Sequence, residues 1–380
     1  MTQAIDPPTL RERWLLLRNR MLSNPQFQRW SMRLPLLRGT ARYHANAMFA
    51  VITGFVNTKT LTAAVDLGII AALARAPEST RGLAVVAGLA EPAMQRLLAA
   101  AAAIDLVEAL PGDRWTLGQR GAALSSNPGA LAMIEHHKLF YTDLADPVAM
   151  LRRGRGGGDL AAFWSYAEAA GRGEPAATAA EDEATRAYSA LMAASQPMVA
   201  EQVLDSFDFS RHRSLLDIGG GHGAFVREVA TRHPGLQLAL FDLPPVAARA
   251  REILAAQSLP HIVAHGGSFR DDPIPGGADL ITLVRILHDH DDAVVLALLK
   301  AVRAALPPGG TLLIAEPMAG TRGAEAMGDA YFGLYLWAMG SGRPRTAAAY
   351  TEMLQAAGFA RVHERRTGLP MVTRLLVASI

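Results

Sequence analysis

The sequence predicts a two-part protein: a mainly helical unit built like a winged helix, then an α/β unit with a doubly wound sheet. Three observations predict it. Residues 49–124 carry apolar positions at helical spacing and close with one short hairpin. From Ser214 onward, apolar runs of strand length alternate with helical patterns. Between the two lies a stretch rich in Gly, Ala and Glu. The expected boundaries are a basic arm at 1–48, the winged-helix-like unit at 49–150, a connection at 151–190 and the α/β unit at 191–380.

Bulk properties agree with a compact protein. The chain has 380 residues, half of them hydrophobic and 19% charged, with a formal net charge of only +2. Zero cysteines exclude disulfides, thiolate metal sites and cysteine nucleophiles. The start has no secretory pattern, and no 18-residue apolar run is free of charge or breakers, so a cytoplasmic protein is expected.

The arm departs from this average. Between Arg11 and Arg42 stand eight arginines, with Glu12 as the only acid. Trp14, Leu15, Leu16, Leu17, Met21, Phe27, Trp30 and Leu34 are interspersed among them. Such a segment can pack on a partner subunit, or lie in the interface of an anionic membrane, leaving the protein peripheral to the inner or photosynthetic membrane.

LTAAVDLGIIAAL (61–73) and EPAMQRLLAAAAAIDLV (91–107) read as helices, the second with Pro92 in its first turn. VEALPGDRWTLG (107–118) reads as a hairpin turning at Pro-Gly-Asp. The recognition-helix position holds only Glu91, Arg96 and Asp105 as charges, whereas a nucleic-acid reader needs a basic face. The unit is therefore expected to be structural, for dimerisation. Residues 152–184 read as a mobile connection with one aromatic helix around Phe163, Trp164 and Tyr166, and 191–207 as the helix leading into the α/β unit. Strands are expected at 214–218, 236–241, 261–266, 279–284, 311–316, 360–366 and 373–379, with helices such as 224–233 and 292–306 between them.

LLDIGGGHGAF (215–225) is a strand ending in an acid, a glycine turn and a helix start. Its Gly219, Gly221 and Gly223 give GxGxG rather than the GxGxxG of dinucleotide enzymes. Asp217, before the glycines, suits a ligand with an ammonium group better than a pyrophosphate. Asp242, ending the next strand about 20 residues on, can accept bonds from ribose hydroxyls. Together they point to adenosine with an amino-acid tail, S-adenosylmethionine.

VRILHDHDD (284–292) offers His288, Asp289 and His290, histidine and aspartate alternating at successive positions, behind an apolar strand. The cluster could ligate metal, supply a general base, or be a polar turn in which Asp291 or Asp292 caps the next helix and His290 packs or caps.

LDIGGGHG, FDLP, SF at 268–269, LHDHDD, LPPGGTLLIAEP, GRPRT and LQAAGFARV occur in the order seen in class I O-methyltransferases of the plant and bacterial small-molecule type. RLPLLRGTARYHANAMF, DLAAFWSYA after a glycine tract, LMAASQPMVAEQVLDSFDFSRH and GGSF resemble the bacterial hydroxycarotenoid branch, the hydroxyneurosporene (demethylspheroidene) O-methyltransferases. The resemblance covers residues 50–380. It implies a winged-helix dimerisation domain, a Rossmann-like methyltransferase domain with a seven-stranded, mostly parallel sheet, and a homodimer. It also implies His288 as catalytic base with Glu316 orienting it, and no metal. Cofactor contacts are expected at Asp217, Gly219, Gly221, Asp242, Leu243, Ser268, Phe269 and Arg285.

Three positions depart from the family: Gly267 where an Asp often meets adenine, Val284 where a lysine stands, and Pro344 in place of a second glutamate flanking the base. The aromatic segment 327–345 is expected to face an apolar acceptor through Tyr331, Tyr335 and Trp337. The expected activity is O-methylation of a 1-hydroxycarotenoid. Alternatives are a phenolic, polyketide or tetrapyrrole acceptor, or a non-catalytic winged-helix regulator that senses S-adenosylmethionine.

Overall fold

The computed structural model describes residues 9–164 and 179–380. Two compact units emerge, Met1–Ser125 and Ser126–Ile380. The division lies after Ser125, not near residue 150. Helices Pro128–Asp143 and Pro147–Arg153, which the sequence reading grouped with the winged helix, pack in the second unit, where Phe140 and Met150 join a cluster with Tyr335 and Leu336.

In the first unit, helices Leu10–Leu22 and Pro25–Arg33 precede a long helix, Pro35–Asp66. The long helix ends at Leu67, and Gly68, in the left-handed region (φ 71°), starts a separate helix at Ile69–Leu73, so the expected 61–73 element is broken. Helices Thr80–Ala87 and Glu91–Ala103 follow. A three-stranded sheet has β1 (Glu78–Ser79) and β2 (Val107–Leu110) on either side of β3 (Arg114–Leu117). Leu83, Met94 and Leu98 close the core of this winged-helix arrangement.

The helix Pro35–Asp66 is long and apolar enough to cross a membrane by length and composition, with mean hydropathy 1.3 over its best window. Arg38, Arg42, Gly54 and Lys59 interrupt its sequence, so no 18-residue stretch of it is free of charge and breakers. Only 11% of that window is buried within this chain.

The second unit is built on seven strands: β4 (Ser214–Ile218), β5 (Gln237–Asp242), β6 (Val263–Gly266), β7 (Leu280–Val284), β8 (Thr311–Glu316), β9 (Arg361–Arg365) and β10 (Arg374–Ser379). Their order is β6-β5-β4-β7-β8-β10-β9, parallel except that β10 runs antiparallel to β8 and β9. Central strands such as LITLV are buried at every position because helices cover both faces. The edge strand β9 reads RVHER and is largely exposed, its charges discouraging further pairing. Core clusters form on the two sheet faces, one around Phe225, Val226 and Leu240, the other around Leu283, Val295 and Leu299. Helix Asp292–Ala305 supplies Val295, Leu298, Leu299 and Val302 to the second, at spacings of three and four.

β4 and β7 are neighbours, so their carboxyl ends meet where the order reverses. Ligands bind at that place in an open parallel sheet. Helix Ala179–Ser206, longer than the expected 191–207, leads into this sheet. The helix expected around Phe163, Trp164 and Tyr166 is present through Trp164; Tyr166 and the rest of residues 165–178 in the connection lie outside the described residues.

Candidate active site

The glycine turn after β4 is wound by positive φ values at Gly219, Gly221 and Gly223. A Cβ at Gly219 would strike Ile286, whereas one at Gly221 would meet nothing within 4 Å, so the turn leaves open space there. Asp242, at the end of β5, accepts from the Gly221 N–H (2.7 Å) and the Leu243 N–H (2.7 Å), one bond per oxygen. Asp217 is buried in β4 and accepts from Thr282 Oγ1 at 2.6 Å. Burial pushes its carboxyl up to about 7 against the Thr282 bond, with Asp242 adding to the rise. Burial likewise raises Asp242. Two desolvated carboxylates beside an open glycine turn would be relieved by an ammonium group and by hydroxyl donors. This pair of acceptors therefore fits the ammonium and ribose hydroxyls of S-adenosylmethionine.

The next stretch lies beside this cradle, because the Gly267 N–H donates to the Asp242 carbonyl (2.9 Å). A Cβ at Gly267 would run into the Phe241 ring at 2.6 Å, which explains the departure from aspartate here. Asp272 returns a carboxylate to the same spot, accepting the Ser268 N–H at 2.8 Å. Ser268 Oγ donates to Asp271 (3.0 Å), and Phe269 packs edge-on against His290 (5.3 Å). Arg285 follows β7 with φ 59°, a left-handed conformation unusual for a side-chain-bearing residue. Among its contacts, Nη1 donates to Ser195 Oγ at 2.8 Å.

His288 sits in a single 3-10 turn, Leu287–Asp289, and is 5% exposed. Its Nδ1 is hydrogen bonded to Glu316 Oε2 at the end of β8. Glu316 is wholly buried, and its Oε1 accepts the Ile286 (2.9 Å) and Leu287 (2.6 Å) N–H groups. An ionised carboxylate only accepts, so Nδ1 carries the proton and Nε2 is left to exchange one. Asp289 Oδ1 stands 3.2 Å from that Nε2. Burial pulls the His288 pKa down, but Asp289 and Glu316 together outweigh it, and the net shift is upward.

The two histidines of the motif do not converge. His290 turns to Phe269 and Arg270 (3.3 Å), and burial and then Arg270 lower its pKa to about 4. Among the described residues, no group of three or more His, Asp or Glu side chains is arranged to hold a metal ion.

The aspartates behind the histidines differ from expectation. Asp291 occupies the N-cap position, but its side chain makes no capping bond. Instead it accepts from the Gly342 N–H (3.2 Å) and Arg155 Nη2 (3.0 Å). Asp292 receives Arg343 and Arg345, and the Arg343 bond leads in holding its carboxyl down at about 2. The physical reason lies in residues 341–345, which run back along the histidine turn. Ser341 Oγ donates to the Asp289 carbonyl (2.9 Å) and the Arg343 N–H to the His288 carbonyl (3.0 Å). Arg345, 1% exposed, donates to the Leu287 (2.8 Å) and His290 (2.7 Å) carbonyls. Pro344 thus brings no second carboxylate, but its neighbour clamps the turn. GRPRT gave no sign of this, because backbone carbonyl acceptors leave no mark in a sequence.

An aromatic wall begins at His288. Phe332 packs edge-on against its ring (5.4 Å), Tyr331 against Phe332 (4.9 Å), and Tyr335 stacks on Tyr331 (5.5 Å). Tyr331 hydrogen bonds His137 Nε2 at 2.8 Å. Tyr335 is buried, its hydroxyl held by His136 Nε2 (2.6 Å) and Trp164 Nε1 (3.2 Å), so it supports the wall from behind. Burial, with His137 adding, brings His136 to about 4, which keeps it neutral. Trp337 is half-buried in the same cluster, with its Nε1 unpartnered among the described residues. His136 and His137 were not among the expected site residues, their adjacency in IEHHKLFY being the available signal, and Phe332 belongs to the aromatic segment 327–345 without having been singled out from it.

The sheet order, the glycine cradle with its two carboxylates and the buried His–Glu pair define a class I methyltransferase. The chain belongs to the O-methyltransferase family: the O-methyltransferase domain matches residues 141–360 and the O-methyltransferase dimerisation domain residues 49–125. It is an S-adenosylmethionine-dependent O-methyltransferase. The demethylspheroidene O-methyltransferase of Rhodobacter capsulatus is 44% identical over 91% of this chain and 85% of its own length. That of Cereibacter sphaeroides is 42% identical over 90% and 89%. Human N-acetylserotonin methyltransferase, solved in complex with SAM, shares the fold at TM-score 0.71 and 24% identity, covering 88% of this chain and 97% of its own.

Proposed function

We propose that the enzyme methylates the hydroxyl of a lipophilic hydroxycarotenoid of the demethylspheroidene type, with His288 as general base. The observation that carries this reading is the unbroken aromatic wall from His288 through Phe332 to Tyr331, which offers an apolar chain a path to the base. The names of the two bacterial relatives supply the acceptor class.

S-adenosylmethionine, when bound, supplies a methyl group on a sulfonium that leaves as a neutral thioether. Asp217 would meet its ammonium end and Asp242 its ribose. Leu243, Ser268, Phe269 and Arg285 complete that side of the site. His288 Nε2 takes the acceptor's hydroxyl proton as the oxygen forms its bond to the methyl carbon. Glu316 keeps Nδ1 protonated and the ring oriented. The Asp289 carboxylate must yield Nε2 to the incoming hydroxyl. A tertiary alcohol is a far weaker acid than a phenol, so the buried setting of His288 and Glu316 matters more for such an acceptor.

Labelled cofactor with separate hydroxycarotenoid, phenol and tetrapyrrole acceptors tests the reading. Transfer to the hydroxycarotenoid is expected; transfer only to the phenol or tetrapyrrole overturns the acceptor. His288→Ala is expected to lower kcat by about 10²–10⁴-fold while S-adenosylhomocysteine still binds. Full turnover in that variant removes the base assignment.

A further inference from the structure

The aromatic wall and the glycine cradle leave the N-terminal helices without a role. We propose that residues 10–42 dock the enzyme on an anionic lipid surface, with one apolar stripe in the acyl boundary and arginines on the lipid phosphates. This deepens the reading of a lipophilic acceptor, which supplies the reason for docking; the docking itself rests on the arm's own chemistry.

Helix Leu10–Leu22 carries Leu10, Trp14, Leu17 and Met21 at spacings of four, three and four. With 3.6 residues per turn they fall within roughly 60° of one another. All four are exposed, Leu10 at 84% and Trp14 at 60%. Arg11 and Arg18 lie along one side of the stripe, Arg13 and Arg20 along the other, and all four are exposed. Arginines flanking an apolar stripe can extend their stems along it and reach phosphates above. Glu12, the only acid within residues 10–42, is engaged in the capping box with Thr9 (2.6 Å). Helix Pro25–Arg33 adds Trp30, 53% exposed, with Arg29 and Arg33 beside it.

The charge distribution selects the occupant. Residues 10–42 hold eight of the 37 Lys and Arg but one of the 35 Asp and Glu, so the remainder of the chain is net acidic. That polarity orients the protein on a negative surface, arm first. A second copy is the weaker fit: a twofold contact through residues 10–42 would set arginine against arginine. The dimer has better material nearby. Residues 43–58 contain no Asp, Glu, Lys or Arg, expose Phe49, Ile52 and Phe55, and overlap the dimerisation domain that starts at residue 49. Nucleic acid would use the arginines but leave Trp14, Leu17 and Met21 in water.

The test is co-sedimentation of the full-length enzyme with phosphatidylglycerol-containing or pure phosphatidylcholine vesicles, neither holding acceptor. Binding to the first, weakening with salt, and little binding to the second is expected. The variant with Arg11, Arg13, Arg18 and Arg20 each changed to Gln is expected to lose about fivefold in affinity per arginine. It is expected to stay dimeric by light scattering and to match the parent's turnover on detergent-dispersed acceptor. Trp14→Ala with Leu17→Ala is expected to weaken binding at unchanged charge. Absence of binding to anionic vesicles, or equal binding by the arginine variant, overturns the proposal. So does dissociation of that variant into monomers, or duplex DNA displacing the vesicles at equimolar phosphate. Failure of every carotenoid acceptor would sink the acceptor reading and leave the vesicle result standing.

Discussion

His288 is held by residues from three separate segments. Its own turn supplies Asp289, β8 supplies Glu316, and the 341–345 strip supplies Arg343 and Arg345. Only the neutral imidazole can take a proton, and the net shift of His288 is upward from its ordinary value. The rising limb of kcat/KM against pH is therefore expected to have its midpoint above about 6.5. Glu316→Gln removes one of the two carboxylates that stabilise the charged ring, so that midpoint moves to lower pH. The plateau falls as well, by up to about 10²-fold, because an amide no longer fixes the tautomer. A pH profile of both enzymes checks the two effects together. Arg345 and Arg343 share Asp292 yet differ in burial, with side chains 0% and 53% exposed. Arg345→Met is expected to cost about 3 kcal/mol in urea unfolding, since two carbonyls lose their donor. Arg343→Met at the exposed end is expected to cost under about 1 kcal/mol. The sequence singled out His288 and Glu316, because a family motif and a strand end mark them. Arg345 was invisible, because its partners, two backbone carbonyls and the Asp292 carboxylate, all lie more than fifty residues away.

Elements place the site through their ends. β4, β7 and β8 deliver Asp217, the histidine turn and Glu316, and the parallel register pairs Val284 with Ala315, one residue before Glu316. The strip 341–345 completes the set only because Gly342 adopts φ 72° against the His288 carbonyl. A Cβ there would lie 2.0 Å from that oxygen. Gly342→Ala is expected to lower stability by at least about 2 kcal/mol and to reduce kcat more than KM, because the clash displaces the turn carrying the base. Gly333→Ala, whose Cβ would meet nothing within 4 Å, is the matched control and is expected to be near neutral by thermal unfolding. Strand positions in the second unit were legible to within two residues, since buried parallel strands are continuous apolar runs between turn residues, whereas the two-residue β1 was too short to leave a pattern. Helix limits were less so. The left-handed Gly68 interrupts an otherwise periodic pattern, and an aspartate before a helix bonds a distant loop in place of its own first turn.

Across the molecule, two neighbouring segments differ in chemistry: residues 10–42 carry eight arginines, whereas residues 43–58 carry no Asp, Glu, Lys or Arg. Met48, Ile52 and Phe55 are exposed on one face of the long helix, at spacings of four and three. Ile52→Glu with Phe55→Glu is expected to convert the dimer to monomer at micromolar concentration, measured by light scattering, while a helical far-ultraviolet spectrum persists. A dimer of unchanged stability would place the interface elsewhere. The sequence by itself determined the order of the strands along the chain, the glycine cradle with Asp217 and Asp242, the histidine and the basic arm. Each of these is written in local spacing, where the period of the backbone converts directly into a face or a turn. The tertiary structure alone decided that residues 126–153 belong with the second unit, that His290 turns away from His288, that Tyr335 is a support, and that Arg345 clamps the histidine turn. Those outcomes depend on hydrogen bonds and packing between residues far apart in the chain, whose partners no local pattern encodes.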